Sequence, residues 1–223
     1  MSTNIKITAV IAAAMAAIVV AFSLLGGTDN ASQPSGAPSG AAPAAQGLLI
    51  RADSHLLSKA PDSKVTLVEF LDFECEACGA TFPNMERIRA EYSGQINVVV
   101  RYFPLPGHRN GELAAQVAEA AARQGKFEDM YAKLFQTQQE WGEATESKQA
   151  YFLSLAQSLG LDMAAFERDL AAPGTAERVK KDQDDGLALG VQATPTIFFN
   201  GVPLDVDPTY ENLKSKIDAA LAS

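Results

Sequence analysis

Cys75 and Cys78 are the only cysteines among 223 residues, and they stand two residues apart between an apolar run and a helical pattern. A dithiol at this spacing can cycle with a disulfide. If a strand delivers Cys75 to the first turn of a helix, free backbone N–H groups and the positive end of the helix dipole favour an anion there. A thiolate is such an anion. Holding it lowers the pKa of Cys75 and shifts the balance toward the dithiol, which makes the disulfide an oxidant. Cys78, one turn along, is then the resolving thiol. Three plainer readings stand beside this one. A structural disulfide would close a very small loop and gain little. Half a zinc site would have only His55 and His108 left as further ligands of its usual kind. Two unrelated buried thiols are the third.

The elements that must position the pair can be read on either side of it. Val65 to Phe73 (VTLVEFLDF) alternates so that Val65, Leu67, Glu69, Leu71 and Phe73 share one face of a strand, with apolar residues also on the other. This pattern predicts a central strand. Glu69 is the anomaly, an acid among four apolar side chains. Buried there, its pKa would rise and it could exchange protons with Cys78 during resolution; at a sheet edge it would simply be solvated. From Cys75 to about Tyr92 the apolar positions step by three and four, a helix period. Pro83 inside that pattern predicts a kink near Gly79 that leaves the active turn semi-independent. Gly94 ends the helix, and Ile96 to Phe103 predicts a second buried strand.

After Pro104-Leu105-Pro106-Gly107 the pattern is mostly helical. Helices are predicted over Asn110–Arg123, Phe127 to about Gln138, Lys148–Leu159, Met163–Leu170 with Asp162 as N-cap, and from Pro173 to Gly190. Trp141, Tyr151, Phe152 and Phe166 read as packing residues rather than a cofactor box. Val191 to Asn200 predicts a strand with Pro195 at its start, where a missing N–H is tolerated. Asn200-Gly201 signals a hairpin, with Val202–Val206 as the returning strand. Asp207 and Pro208 then open a last helix as N-cap and N1. Strand, helix, strand, helical block, hairpin, helix is an α/β class with a mixed sheet.

Residues 7–25 carry no charge after Lys6, a length that can cross a hydrocarbon core of roughly 30 Å. The flanking charges put the N-terminus inside and the remainder outside the cytoplasm. A cleaved signal peptide is the competing reading and gives the remainder the same address, secreted rather than anchored. Residues 26–47, rich in Gly, Ser, Ala and Pro, form a flexible linker, and residues 48–223 form the folded domain. A net charge of −9 without a Lys/Arg cluster argues against nucleic acid as a partner. No metal-ligand run and no cofactor motif is present; the redox-active group would be the Cys75–Cys78 pair itself.

Five stretches, in order, carry a family likeness: VEFLDFECEAC, the helix proline Pro83, YFPLPGH followed by an alanine-rich helix, QGKFEDMYAKLF, and GVQATPTIFFNG. Together they resemble the thioredoxin fold, and more closely the DsbA-like extracytoplasmic thiol:disulfide oxidoreductases, which carry a helical insertion (here at about residues 108–190). The resemblance implies that Cys75 attacks and forms mixed disulfides, that Cys78 resolves them, and that Glu69 is the family's buried acid. It also implies a cis Thr194–Pro195 bond against the disulfide, pairing with extended substrates. The implied partners are exported protein thiols and a membrane quinone-linked redox protein. One departure stands out. Glu76 and Ala77 occupy the places where strongly oxidising relatives usually have proline and histidine. Negative charge at Glu74 and Glu76 would oppose the Cys75 thiolate, although acids in a first helical turn are also ordinary dipole partners. A reductase or isomerase kept reduced by a membrane donor therefore remains an alternative. So does a non-catalytic module that holds unfolded chains in a groove near Pro195 and Phe103.

Overall fold

The computed structural model describes residues 47–61 and 63–223. The segment expected to span or enter a membrane, residues 7–25, lies outside the described residues, as does all but the last residue of the linker, 26–47. Among the described residues no helix is long and apolar enough to cross a membrane.

Five strands form one mixed sheet: β1 (His55–Ser58), β2 (Thr66–Leu71), β3 (Asn97–Tyr102), β4 (Thr196–Phe199) and β5 (Val202–Pro203), in the spatial order β1-β3-β2-β4-β5. β2 is central, parallel to β3 and antiparallel to β4. Its alternation divides the core. Val65, Leu67, Leu71 and Phe73 pack in the larger cluster, with residues of helix α1 (Glu76–Glu91) and of the helical block. Val68 and Phe70 pack on the opposite face with Leu49, Val99, Phe103, Val191 and Phe198.

The helical block follows β3 as α2 (Gly111–Ala122), α3 (Phe127–Gln136), α4 (Gln138–Trp141), α5 (Gln149–Ser158), α6 (Met163–Leu170) and α7 (Pro173–Ala188). Asp162 caps α6 by accepting from the Ala165 N–H. Trp141, Phe152 and Phe166 are fully buried. The chain closes with helix α8 (Tyr210–Ala222).

Several details depart from the pattern-based expectation. β1 was not foreseen: four residues at a sheet edge give too short an alternation to register, and His55 is held there by stacking on Phe127 (centroids 3.8 Å apart) and by Glu119 at 2.7 Å. The returning strand is two residues rather than Val202–Val206. The last helix starts at Tyr210 with Thr209 as its N-cap, because the Thr209 hydroxyl, not the Asp207 carboxylate, accepts the Asn212 N–H. Phe103 is buried in the smaller core, so it lines no groove beside Pro195.

A buried ion network locks the helical block to the sheet. Arg101 on β3 is fully buried, and all its N–H groups are used. They reach Asp182 (2.7 Å) and Asp185 (2.6 Å) on α7 and the carbonyls of Leu48 (2.6 Å) and Leu49 (2.7 Å). Arg178 pairs with the same Asp182, which also accepts the Tyr102 N–H at 3.1 Å. Beside this network α7 lies so close to the sheet that a Cβ on Gly186 would sit 2.6 Å from the Phe103 ring. Removing one member of a buried pair strands the other's charge. Asp182→Ala is therefore expected to cost about 3 kcal/mol or more in urea unfolding. Asp184→Ala, which loses only the exposed pair with Lys180, should cost less than about 1 kcal/mol.

Candidate active site

The two cysteines sit where β2 hands over to α1. Cys75 is the N-cap of α1, one position ahead of the first helical turn, with extended backbone (φ −70°, ψ 122°). Both thiols are free; Cys75 is 6% exposed and Cys78 is sealed from solvent. The register of β4 on β2 pairs Thr196 with Phe70, and this carries the residues just before β4 to the cysteine turn. The Thr194–Pro195 bond is cis, and the Cys75 Sγ lies 3.3 Å from the Thr194 carbonyl oxygen, the contact a protonated thiol would make. The Thr194 hydroxyl is buried with no hydrogen-bond partner, a donor that a thiolate could use.

The surroundings push the two sulfurs apart in acidity. The Cys75 thiol is lowered to about 5, first by the S–H of Cys78. Burial opposes this, and Thr194 and the backbone N–H groups of Cys78 and Ala77 support it. Cys78 is driven well above the ordinary thiol range, first by burial, then by Cys75 and Glu69. The surroundings thus favour ionisation of Cys75 and retention of the proton on Cys78.

Glu69 is 2% exposed, and its Oε2 has no hydrogen-bond partner. Burial, with the Glu86 charge adding to it, raises its pKa to about 8. The solvated-edge reading does not hold, because Glu69 is paired on both sides, to Val100 and Ile197.

Three residues that pattern reading missed hold the turn. Asp72 is 1% exposed. Its carboxylate accepts the N–H of Glu74 (2.9 Å), the N–H of Leu105 (2.8 Å) and His108 Nδ1 (2.6 Å), while its carbonyl accepts the Cys75 N–H at 3.2 Å. Gly111 must be glycine for this, since a Cβ there would fall 2.6 Å from Asp72 Oδ1. Gln138 on α4 donates to the carbonyls of Phe73 (2.8 Å) and Cys75 (2.9 Å). The active turn is thereby tied down, not semi-independent as Pro83 suggested. Glu74, expected to burden the thiolate, is buried, and its oxygens accept the N–H groups of Asn110 (2.5 Å) and Glu143 (3.1 Å). The only earlier signal for any of these was the histidine of YFPLPGH.

A thioredoxin family model matches residues 58–219. The chain belongs to the thioredoxin family. Its fold is DsbA-like: alpha-DsbA1 of Wolbachia pipientis superimposes with a TM-score of 0.71 at 20% identity, over 80% of this chain and 96% of that one. Oxidised BdbD of Bacillus subtilis does so with a TM-score of 0.64 at 26% identity, over 76% and 94%. Among curated sequences, the Na(+)/H(+) antiporter NhaA of Herminiimonas arsenicoxydans is 38% identical over 140 residues, 63% of this chain but 21% of that protein. The chain thus spans about a fifth of the length of the curated relatives it matches. Family and fold together support thiol–disulfide oxidoreductase activity.

In this thioredoxin-family protein the acid beneath the cysteines has a measurable signature. Between about pH 4.5 and 8 the folded chain keeps a proton on Glu69 that the unfolded chain has lost. The unfolded state then binds fewer protons, so stability falls as pH rises through that window and levels off above it. Glu69→Gln is expected to flatten this part of the stability–pH curve and to stabilise the fold at pH 8 by on the order of 3 kcal/mol. Chemical denaturation across pH 4 to 9 measures both.

Proposed function

We propose that the protein donates its Cys75–Cys78 disulfide to the thiols of exported proteins. The observation that carries this reading is the asymmetry of the pair, a thiolate at the start of α1 against a sealed, protonated neighbour. A dithiol stabilised in this way corresponds to an oxidising disulfide. The carboxylate of Glu74 is turned to the backbone N–H groups of Asn110 and Glu143.

In the proposed sequence a substrate thiolate attacks the Cys75 sulfur. The Cys75–Cys78 bond breaks, and Cys78 leaves with the electron pair and takes a proton from Glu69. A second substrate thiolate then attacks the substrate sulfur of the mixed disulfide and expels Cys75 as a thiolate. The substrate leaves oxidised and the protein remains as the dithiol. Thr194 and Pro195 would line the extended substrate segment. A membrane quinone-linked partner would take the electrons and restore the disulfide. Residues 7–25 would anchor the domain to the membrane on the extracytoplasmic side, with the linker as its tether; the support here is the charge and apolar pattern of the sequence.

Equilibration with glutathione separates donor from reductase. An oxidase requires a reduction potential well above the roughly −270 mV of thioredoxin, and a value at or below that figure would reverse the assigned direction. Cys78→Ala is expected to accumulate mixed disulfides on Cys75 in cells, seen as reductant-sensitive adducts on non-reducing gels. Their absence would favour a module that binds chains without exchanging disulfides.

A further inference from the structure

The two residues between the cysteines, Glu76 and Ala77, include no cation, yet a histidine reaches the same turn from another part of the chain. His108 lies in the β3–α2 connection, and its Nδ1 is 2.6 Å from Asp72 Oδ2. A carboxylate only accepts hydrogen bonds, so Nδ1 carries the proton and Nε2 is the nitrogen that gains or loses one. The side chain is 25% exposed and lines a cavity of about 440 Å³ with Glu74, Glu76, Arg109 and Glu143, so Nε2 can exchange protons with solvent.

We propose that His108, clamped by Asp72, is the distant cation that tunes how firmly Cys75 holds its thiolate and so makes the disulfide exchange equilibrium depend on the charge of one imidazole. This rests on the reading that the Cys75–Cys78 pair is redox-active. The physical reason lies in Asp72. Its side chain accepts the Glu74 N–H and its carbonyl accepts the Cys75 N–H, so its buried charge stands within the turn that carries the sulfur. Uncompensated, that charge repels a thiolate; an imidazolium on it cancels the repulsion.

The remaining charged groups facing the imidazole are Glu74 and Cys75, and Glu76 and Glu143 across the cavity, with Arg109 next in the chain. Burial depresses the His108 pKa, but Asp72, with Cys75 and Glu74 adding, outweighs it and holds the group above its ordinary value. The Cys75 charge favours the imidazolium, so the two groups must be linked in both directions.

Reciprocal linkage gives a test on the unmodified chain. It contains two histidines, so selective labelling leaves two imidazole signals, with His55 on Glu119 as an internal reference. His108 is expected to protonate about threefold more tightly in the dithiol than in the disulfide form. Equal titration midpoints in the two redox states would overturn the proposal. In the folded His108→Gln variant, which can keep a neutral hydrogen bond to Asp72, the Cys75 thiolate absorbance should titrate about threefold higher in pKa terms, near half a unit, with the glutathione equilibrium moved about threefold toward the disulfide. His108→Lys should restore both. A purely structural His108 would change the melting temperature and leave these readouts where they were, which would also overturn the proposal. If glutathione failed to exchange with the pair at all, the parent reading would fall, and the thiolate titration of Cys75 would still decide this one.

Discussion

The chemistry of the pair depends on two strands ending at the same level. β2 leads into Cys75 and β4 begins just after Thr194–Pro195, and the pairing of Phe70 with Thr196 sets their ends side by side. The register is fixed at the other end as well. The Asn200–Gly201 turn, with φ of 49° and 86°, is stapled to the start of β2 by Asn200, which bonds the Thr66 N–H and the Lys64 carbonyl through its side chain, each at 2.8 Å. A slip of one residue would turn every side chain of the strand to the opposite face. Glu69 would then leave the cluster that holds Cys78, and Thr194 would leave Cys75.

Much of this was legible because β2 is central and apolar on both sides. Its alternation placed Glu69 beneath the cysteine helix, and the helical block could be read from caps and glycine stops, with Met163–Leu170 and its Asp162 cap as found. Short or non-local features were not legible. β1 has four residues, and what keeps it in place is a stack with Phe127 and a hydrogen bond with Glu119, far along the chain. Asp72, His108 and Gln138 are ordinary polar residues in their own segments, and they become a site only through contacts across 36 to 65 positions. The burial of Glu74 was not legible for the same reason. Its sequence neighbour is the thiolate, but its carboxylate is spent on N–H groups from two other loops.

Glu69 and Asp72 illustrate how environment separates two acids on one strand segment. Glu69 lies within β2 and Asp72 one residue past its end. Glu69 enters an apolar layer where one oxygen finds no donor, so burial favours its neutral form. Asp72 meets three donors and serves as the anchor for the turn.

The helical block is usually regarded as an addition to the strand-and-helix core, yet here it completes the site. Gln138 holds the carbonyls on either side of Glu74, and the Glu143 N–H holds its carboxylate. Those residues lie on a block whose far end, α7, is locked to β3 by Arg101, Asp182 and Asp185. Such a buried ion cluster gains little net stability over an apolar substitute, because desolvation offsets the Coulomb attraction. Its value is geometric: charged partners tolerate few alternative placements, so the cluster fixes where the block sits on the sheet. A misplacement of an ångström at α4 would loosen both carbonyl bonds at the cysteine turn, where the Cys78 thiol first, then Thr194 and the N–H groups of Cys78 and Ala77, favour the Cys75 thiolate.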